Sequence, residues 1–227
     1  MAKKVIQPGE YSLSEAALVL NNGESKDLTP ILESFSFTES IDTVFCAGVM
    51  NVVDQADNIG IVPILGDERV IVKWQTPDYT GFEPEEREQS FRIISITAVN
   101  VQPDGNGQTA KFNLIDELAY EQYFQSVKST FTESISDQSQ IIFDEIVKNA
   151  KFKPLLEYKI NIDETEGVVH DIITGDTPYD AFTHLLGWAH SSNYPSSNFR
   201  FFQNKDGYNF RNLEQIIDDE MKERTTK

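Results

Sequence analysis

The sequence predicts an α+β fold rich in β-structure, in which an N-terminal antiparallel β-barrel domain is followed by a mixed α/β domain. Three observations lead to this prediction. Short segments before residue 125 alternate apolar and polar residues with a period of two. Turn-forming pairs of Gly, Asn and Asp separate these segments. After residue 125 the apolar residues recur at helical spacing.

The first predicted domain, residues 1–125, is a series of short strands. Apolar and polar residues alternate in residues 34–38, 69–74 and 109–114, so one face of each strand should pack and the other should meet water or a partner. Residues 44–53 are almost all apolar and small, which is typical of a strand covered on both sides. Several short strands at this spacing favour a barrel or a sandwich.

Turn chemistry supports the same organisation. Asn22-Gly23, Gly66-Asp67 and residues 103–107 supply residues that tolerate a positive φ. The acidic, proline-bearing residues 78–88 are predicted to form a long exposed loop.

The second predicted domain, residues 126–217, is mixed. Residues 136–150 carry a helical stripe of apolar residues. A further helix should begin where Thr177 can cap, Pro178 needs no N–H, and Asp180 sits in the positive first turn. Asp206-Gly207 predicts a hairpin turn between two short strands. The charged residues 218–227 are predicted to form a fraying tail.

Charge excludes several classes of partner. The chain has 37 acidic and 19 basic residues, a formal net charge of −18. A nucleic-acid-binding surface needs Lys and Arg to neutralise phosphates, and an anionic membrane surface would repel this chain. The 25 aromatic residues argue against disorder. No apolar run approaches the length of a membrane helix, and the N-terminus is not a signal peptide.

Histidine and cysteine give no catalytic or metal motif. His184 and His190 should point to different sides of one predicted helix, and His170 lies on another element. The only cysteine, Cys46, lies in an apolar strand and is expected to be a small buried thiol. Residues 105–111 superficially resemble a phosphate loop, but they lead into a strand rather than a helix and are predicted to be a hairpin turn.

Four groups of neighbouring carboxylates are candidates for acid/base pairs or cation sites. Neighbouring acids are expected throughout so acidic a chain, so solvated surface is the favoured interpretation, with a glycan-hydrolase pair or a surface cation as alternatives. The groups are Asp54/Asp57, Asp67/Glu68, Glu83/Glu85/Glu86/Glu88 and Asp163/Glu164/Glu166. The sequence therefore predicts no catalytic residue, no cofactor and no metal site, and it favours a binding or structural protein over an enzyme.

The order of several segments resembles the baseplate central hub protein of contractile-tailed, T-even-like bacteriophages and the related hub portion of type VI secretion spike proteins. The resemblance covers residues 31–217. The segments that carry it are residues 31–43 (ILESFSFTESIDT), 45–48 (FCAG), 51–54 (NVVD), 62–68 (VPILGDE), 175–182 (GDTPYDAF) and 198–214 (NFRFFQNKDGYNFRNLE).

The resemblance implies a structural virion protein without catalysis. Such hub subunits form a homotrimeric ring that connects the tail tube, or a tube-initiator protein, to a trimeric cell-puncturing spike. Baseplate wedge proteins surround the ring, and DNA passes through its lumen during ejection. The expected location is the tail baseplate of the virion, after assembly in the host cytoplasm. Hub proteins usually continue beyond the segment at residues 198–214 into strands that complete a second barrel. Two alternatives stay open for this sequence: it is a shortened part of a longer protein, or the second barrel is missing.

Two alternatives stay open at this point. One is another tail structural component, such as a tube-initiator, wedge or adaptor protein, and the other is a tail-associated glycan hydrolase. Under the hub hypothesis, the acidic residues of the first domain would have a function in DNA passage. Residues 1–125 hold 20 acidic and 8 basic residues, and acids lining the lumen would repel phosphate and let DNA slide.

Overall fold

The computed structural model describes residues 11–55, 64, 68–75, 86–101, 107–151, 156–204 and 206–226. The chain divides into two compact units. Unit 1 contains Met1–Thr38 and Ala47–Glu117, and unit 2 contains Glu39–Cys46 and Leu118–Lys227. A short hairpin segment from the first half of the sequence thus belongs to unit 2. Whether independently folding domains end at residues 125 and 217 stays a prediction.

Unit 1 is built on a large antiparallel sheet, as the sequence predicts. Its strands lie in the order β2-β1-β5-β6-β7-β4-β3. A single 3₁₀ turn at Thr29–Ile31 leads from β2 into β3. The strands are β1 (Ser12–Val19), β2 (Ser25–Asp27), β3 (Leu32–Ser40), β4 (Thr43–Asp54), β5 (Arg69–Gln75), β6 (Glu86–Val101) and β7 (Gln108–Asp116).

The period-two pattern fixes which side of each strand is buried. In β5, Val70, Val72 and Trp74 are buried and the residues between them are partly exposed. β4 alternates in the same way, so the prediction that it is covered on both sides is wrong. Two of its outward-facing residues, Val49 and Val53, are apolar but partly exposed to solvent. The nearly continuous apolar sequence therefore did not show which side of the strand is buried. The predicted loop at residues 78–88 is also wrong for its last three residues, which begin β6; residues 78–85 lie outside the described residues.

The sheet is strongly curled. β3 and β5 are four positions apart in the strand order, so in a flat sheet they would be separated by about 19 Å. Yet the ring centroids of Phe37 and Trp74 are 4.9 Å apart, and those of Phe35 and Trp74 are 6.0 Å apart. Phe35 also contacts Phe91 of β6 edge-on, at 5.8 Å. The inner faces of distant strands therefore pack on one another.

The two ends of the curled sheet are linked by a side chain rather than by strand pairing. The Tyr11 hydroxyl, one residue before β1, donates to the Phe35 carbonyl oxygen at 3.2 Å. Within the described residues, no backbone ladder joins β2 or β1 to β3. The large antiparallel sheet of the predicted fold is confirmed, and its closure into a barrel is left as a prediction.

Unit 2 is a mixed α/β structure with two small sheets. β8 (Val127–Phe131) pairs with β10 (Asp171–Asp176), while β11 (Phe199–Asn204), β12 (Gly207–Asn212) and β9 (Ile160–Ile162) form the other sheet. The helices of the described chain are α1 (Glu117–Glu121), α2 (Ile135–Lys148), α3 (Pro178–Leu186) and α4 (Leu213–Thr226), with a 3₁₀ turn at Gln122–Phe124. Helices α2 and α3 and strands β11 and β12 bury one shared apolar core.

Local signals place the elements of unit 2 as predicted. The Thr177 hydroxyl accepts from the Asp180 N–H at 3.2 Å and caps α3, with Pro178 at the first helical position. The hairpin turn between β11 and β12 places Gly207 at φ 114°, and a Cβ there would lie 2.7 Å from the Lys159 carbonyl oxygen. Only glycine satisfies both constraints.

The charged C-terminal segment is helical as far as Thr226, so the predicted fraying tail is wrong over residues 218–226. Side chains anchor this helix to the rest of unit 2. The Tyr194 hydroxyl donates to Asp218 at 2.7 Å. Arg211 bonds Asp163 at 3.0 Å and also bonds Asp219 of the helix. Sequence periodicity missed α4 because ion pairs, rather than an apolar stripe, hold it.

Shortening Phe35 should destabilise unit 1 selectively. Phe35→Ala removes the ring that contacts Trp74 and Phe91, and the expected loss is about 3–5 kcal/mol of unfolding free energy. Urea unfolding in a Trp188→Phe background, in which Trp74 is the one tryptophan and reports on unit 1, measures it by fluorescence. Ile94→Ala, at a side chain 50% exposed in the same unit, is the matched control. Equal effects of the two variants would refute the role of the aromatic cluster.

The link between Tyr194 and α4 should be visible by titration. The hydrogen bond to Asp218 raises the pKa of Tyr194 to about 12 from the ordinary value of 10.0. Because the folded pKa is raised, this contribution to stability is complete below pH 10 and is lost as the pH rises through 12. An ultraviolet titration of tyrosinate formation measures this effect. The Asp218→Asn variant should have one fewer tyrosine with a raised pKa than the wild-type protein. Tyr194→Phe identifies the signal, and an unchanged titration of the Asn variant would contradict the assignment.

Candidate functional site

A patch on the outward side of β3, β4, β7 and the second half of β6 carries a single charged side chain among the described residues, whereas the first half of β6 has Glu86 and Glu88 on the same side. The residues are fixed by the ladders, in which Asn51 lies opposite Lys111 and Asn113 lies opposite Ser95. We call this surface the neutral face. It consists of Ser34, Ser36, Thr38, Ala47, Val49, Asn51, Val53, Ser95, Thr97, Thr109, Lys111, Asn113 and Ile115, all exposed or partly exposed. Lys111 is the one charged residue among these described side chains, and none of them is a carboxylate.

Side chains of the neutral face bond to one another across the strands. The Asn51 amide donates to the Ser34 hydroxyl at 2.8 Å. The Asn113 amide donates to the Ser95 hydroxyl at 2.8 Å and approaches the Thr97 hydroxyl at 3.4 Å. A bulge at Ile94 precedes Ser95 and turns the following residues of β6 toward this face. The result is a polar surface whose amides are partly satisfied within the sheet.

Charge is buried midway along β6, at Arg92, which lies opposite Ile115 of the neutral face. Arg92 and Glu117 are both inaccessible to solvent, and their Nη2 and Oε1 atoms are 3.4 Å apart. The same carboxylate oxygen of Glu117 lies 3.1 Å from Arg69 Nη1. The Glu117 carboxylate is therefore in contact with two guanidinium groups, whose positive charges offset the cost of burying the negative charge. Sequence reasoning missed this cluster, although an arginine inside the apolar run at residues 91–94 was a detectable signal.

An exposed ion pair contrasts with the buried one. Lys73 Nζ lies 2.9 Å from Glu15 and 3.3 Å from Glu88 across neighbouring strands. The hydrogen bonds to Glu15 and then to Glu88 hold the pKa of Lys73 above its ordinary value. Such solvent-screened pairs contribute little to stability.

Exposed aromatic residues are found in unit 2. Tyr123 and Phe124 are 69% and 51% exposed, and Lys151 Nζ lies 4.7 Å from the Phe124 ring centroid. Trp188 is 55% exposed and lies near His184. Large aromatic side chains are enriched at protein–protein contacts, so these positions are candidates for contact with other proteins.

An apolar cleft also opens within unit 2. It is small and is lined by Phe45, Tyr179, Phe182, Tyr208 and neighbouring core residues. Ligand sites combine an apolar lining with a few convergent polar groups. Gln122 is the only polar amide in this lining, and its Oε1 accepts from the Tyr179 N–H at 3.2 Å. The cleft is thus an irregularity of core packing.

The structure separates the three histidines. His184 Nε2 lies 2.8 Å from Asp171 Oδ2, between α3 and β10. His190 follows the end of α3, so the prediction that it shares a helix with His184 is wrong. The helix ends at Leu186, with Gly187 as its C-cap. Across the described part of the chain, no three His, Cys, Asp or Glu side chains form a group that could hold a metal ion.

The remaining sequence candidates have ordinary structural roles. Cys46 is buried, as predicted, and its N–H donates to the Gln203 side chain at 3.0 Å. Of the turn predicted at residues 105–111, residues 105 and 106 lie outside the described residues, and Gln108 begins strand β7. Asn22-Gly23 forms a turn with Gly23 at φ 88°, as predicted. Gly66-Asp67 lies outside the described residues.

Not all the carboxylate groups form solvated surface. Asp54 and Glu68 are buried, and Asp163 is largely buried beside Arg211, so the surface prediction is wrong for these three. Their packing depends on contacts distant in sequence. Glu86, Glu88, Glu164 and Glu166 are exposed, as predicted. Asp57, Asp67, Glu83 and Glu85 lie outside the described residues.

None of the helices found in the described residues is both long enough and apolar enough to span a membrane.

Solved structures similar to this chain come from tail and secretion proteins. The tail protein from Neisseria meningitidis MC58 matches with a TM-score of 0.51 at 12% identity, over 88% of this chain and 50% of that chain. The prophage MuSo2 tail protein from Shewanella oneidensis matches with a TM-score of 0.47 at 10% identity, over 87% and 54%. The half-lidded Francisella PdpA–VgrG complex matches with a TM-score of 0.47 at 12% identity, over 96% and 34%. No family model and no curated protein matches the sequence.

The chain shares its fold with the Neisseria tail protein. The resemblance to tail hub proteins inferred from the sequence is thereby confirmed at the level of the fold. This chain spans half the length of that tail protein. At 12% identity, this match shows a shared fold but assigns no role to any individual residue.

Removing the buried charge of Glu117 should be costly. Glu117→Gln removes the buried negative charge that contacts both Arg92 and Arg69, and the expected loss is about 3–5 kcal/mol of unfolding free energy. Glu88→Gln removes an equal charge from the exposed pair with Lys73 and should cost about 1 kcal/mol or less. Urea unfolding of both variants at neutral pH measures the difference. A loss for Glu117→Gln no larger than that of its control would contradict the buried-pair interpretation.

Proposed function

We propose that this protein is a structural component of a bacteriophage tail, specifically a baseplate central hub subunit. Three copies would form a ring that connects the tail tube, or a tube-initiator protein, to the cell-puncturing spike, with wedge proteins around it. DNA would pass through the lumen of the ring. The protein would act in the virion tail after assembly in the host cytoplasm. The observation that carries the proposal is the fold shared with a tail protein over 88% of the chain.

The geometry of unit 1 suits assembly into a ring. Strands β2 and β3 are the outermost strands of the described sheet, and an edge strand can pair with a strand of a neighbouring copy. A closed ring would hide both edges by symmetry. The predicted barrel would then be completed between copies.

A structural role also agrees with the chemistry of the described side chains. The buried charges stabilise the fold by pairing, as Arg92 and Glu117 do. A glycan hydrolase needs two carboxylates that flank a substrate cleft, whereas the described cleft of unit 2 has an apolar lining. Release of reducing sugar from peptidoglycan by the purified protein would revive the enzyme alternative.

Measurement of mass in solution tests the hub proposal. The purified chain, examined by light scattering across a range of concentrations and with its spike protein added, should reach the mass of three copies. A strictly monomeric species under all these conditions would refute the trimer. Counting copies in intact particles separates the remaining tail alternatives, because three copies fit a hub and six copies fit a wedge or a tube ring.

A further inference from the structure

We propose that helix α4 detaches from unit 2 in a separate, salt-sensitive step, while the core of unit 2 stays folded. Ion pairs at Arg211 keep the helix attached, and Asn212 is the point about which it opens. This detachment is independent of the proposed ring of subunits.

Apolar burial contributes little to the attachment of α4. None of the residues from 213 to 222 is buried, and Ile217 and Met221 are 50% and 62% exposed. By contrast, α2 and α3 place fully buried side chains in the core of unit 2, Ile142 and Phe182 among them. Hydrophobic burial is the dominant favourable contribution to folding. Helix α4 therefore receives little of the stabilisation that fixes the other two helices.

Charged and polar side chains hold α4 instead. Arg211, in β12, lies between two carboxylates: its Nε is 3.0 Å from Asp163 Oδ1, and its Nη2 bonds Asp219 of α4. The neighbouring Asp218 accepts from the Tyr194 hydroxyl at 2.7 Å. We call these five residues the polar clasp. The side chains of Arg211 and Asp219 are 22% and 39% exposed, so dissolved salt screens and weakens their pairing.

The start of α4 is held by contacts of a different kind. Asn212 is fully buried, and its side-chain oxygen accepts from the N–H groups of Glu214 and Gln215 at 2.9 and 3.3 Å. Its side-chain amide donates to the Ser196 hydroxyl at 3.1 Å. These bonds join neutral groups, whereas salt screens interactions between charges. The first turn thus stays fixed under conditions that loosen the polar clasp, which makes Asn212 the hinge.

One buried atom favours the detached state. Gln215 Oε1 is shielded from solvent and accepts no hydrogen bond within the described residues. A buried acceptor without a partner has lost its hydration and gained nothing in return. Detachment of α4 would return this oxygen to water. The attached state therefore depends on the polar clasp to offset the cost of burying it.

Hydrogen exchange of the full chain, measured by mass spectrometry at low and high NaCl concentration, tests the proposal. Amides that exchange through a local opening report the free energy of that opening. Residues 217–222 report on α4, and β12, whose Tyr208 and Phe210 are buried, reports on the core of unit 2. The amides of α4 should exchange faster than those of β12, and added NaCl should accelerate α4 alone.

Two variants of α4 show whether the polar clasp is responsible. Asp219→Asn should accelerate exchange in α4 about tenfold at low salt, because it removes a charge-assisted hydrogen bond to Arg211. The effect of NaCl on α4 should be reduced in this variant. Glu220→Gln is the matched control, since it removes an equal charge from the next residue, whose side chain is exposed. Its exchange should equal that of the wild-type chain.

Three results would overturn the proposal. Exchange in α4 no faster than in β12 would mean that the helix opens only when unit 2 unfolds. Exchange in α4 that neither NaCl nor Asp219→Asn changes would mean that the ion pairs do not hold the helix. Equal acceleration of α4 and β12 by Asp219→Asn would mean that unit 2 opens as a whole. None of these results bears on the hub proposal, which is tested by the mass of the assembly.

Discussion

Packing of Phe35 and Phe37 against Trp74 is the contact on which the rest of unit 1 depends. Rings on strands four positions apart meet within 4.9–6.0 Å, which requires the sheet to curl around its own core. The curl determines which side of every strand is inner and which is outer. The neutral face exists as one surface because four outward-facing strand surfaces lie side by side on the convex side of this sheet.

Charge is then distributed according to what each location can stabilise. Arg92 is buried because Glu117 is buried with it, at the end of β7 where α1 begins. Lys73 remains in water between two glutamates. The neutral face has neither arrangement, and its amides bond to hydroxyl groups instead. The net charge of −18 is thus an average over surfaces with very different local chemistry.

The fold class and many elements were predictable, because they depend on local chemistry. Alternation in β5, the cap at Thr177 and the turn at Gly207 each act over a few residues. Helix α4 was missed because its anchors, Tyr194 and Arg211, lie outside the helix. The candidate surface was missed for a similar reason. Its serines, threonines and asparagines are distributed over four strands, and no single segment is unusual.

By itself, the sequence determined the β-rich class, the net charge and the buried position of Cys46, because composition and short-range periodicity are properties of the chain. Tertiary structure alone decided which charges are buried and which face lacks them. Strand order brings β3, β4, β7 and β6 together from segments separated by up to about 80 residues. A surface assembled over such distances depends on register, and register is fixed only when the strands pair.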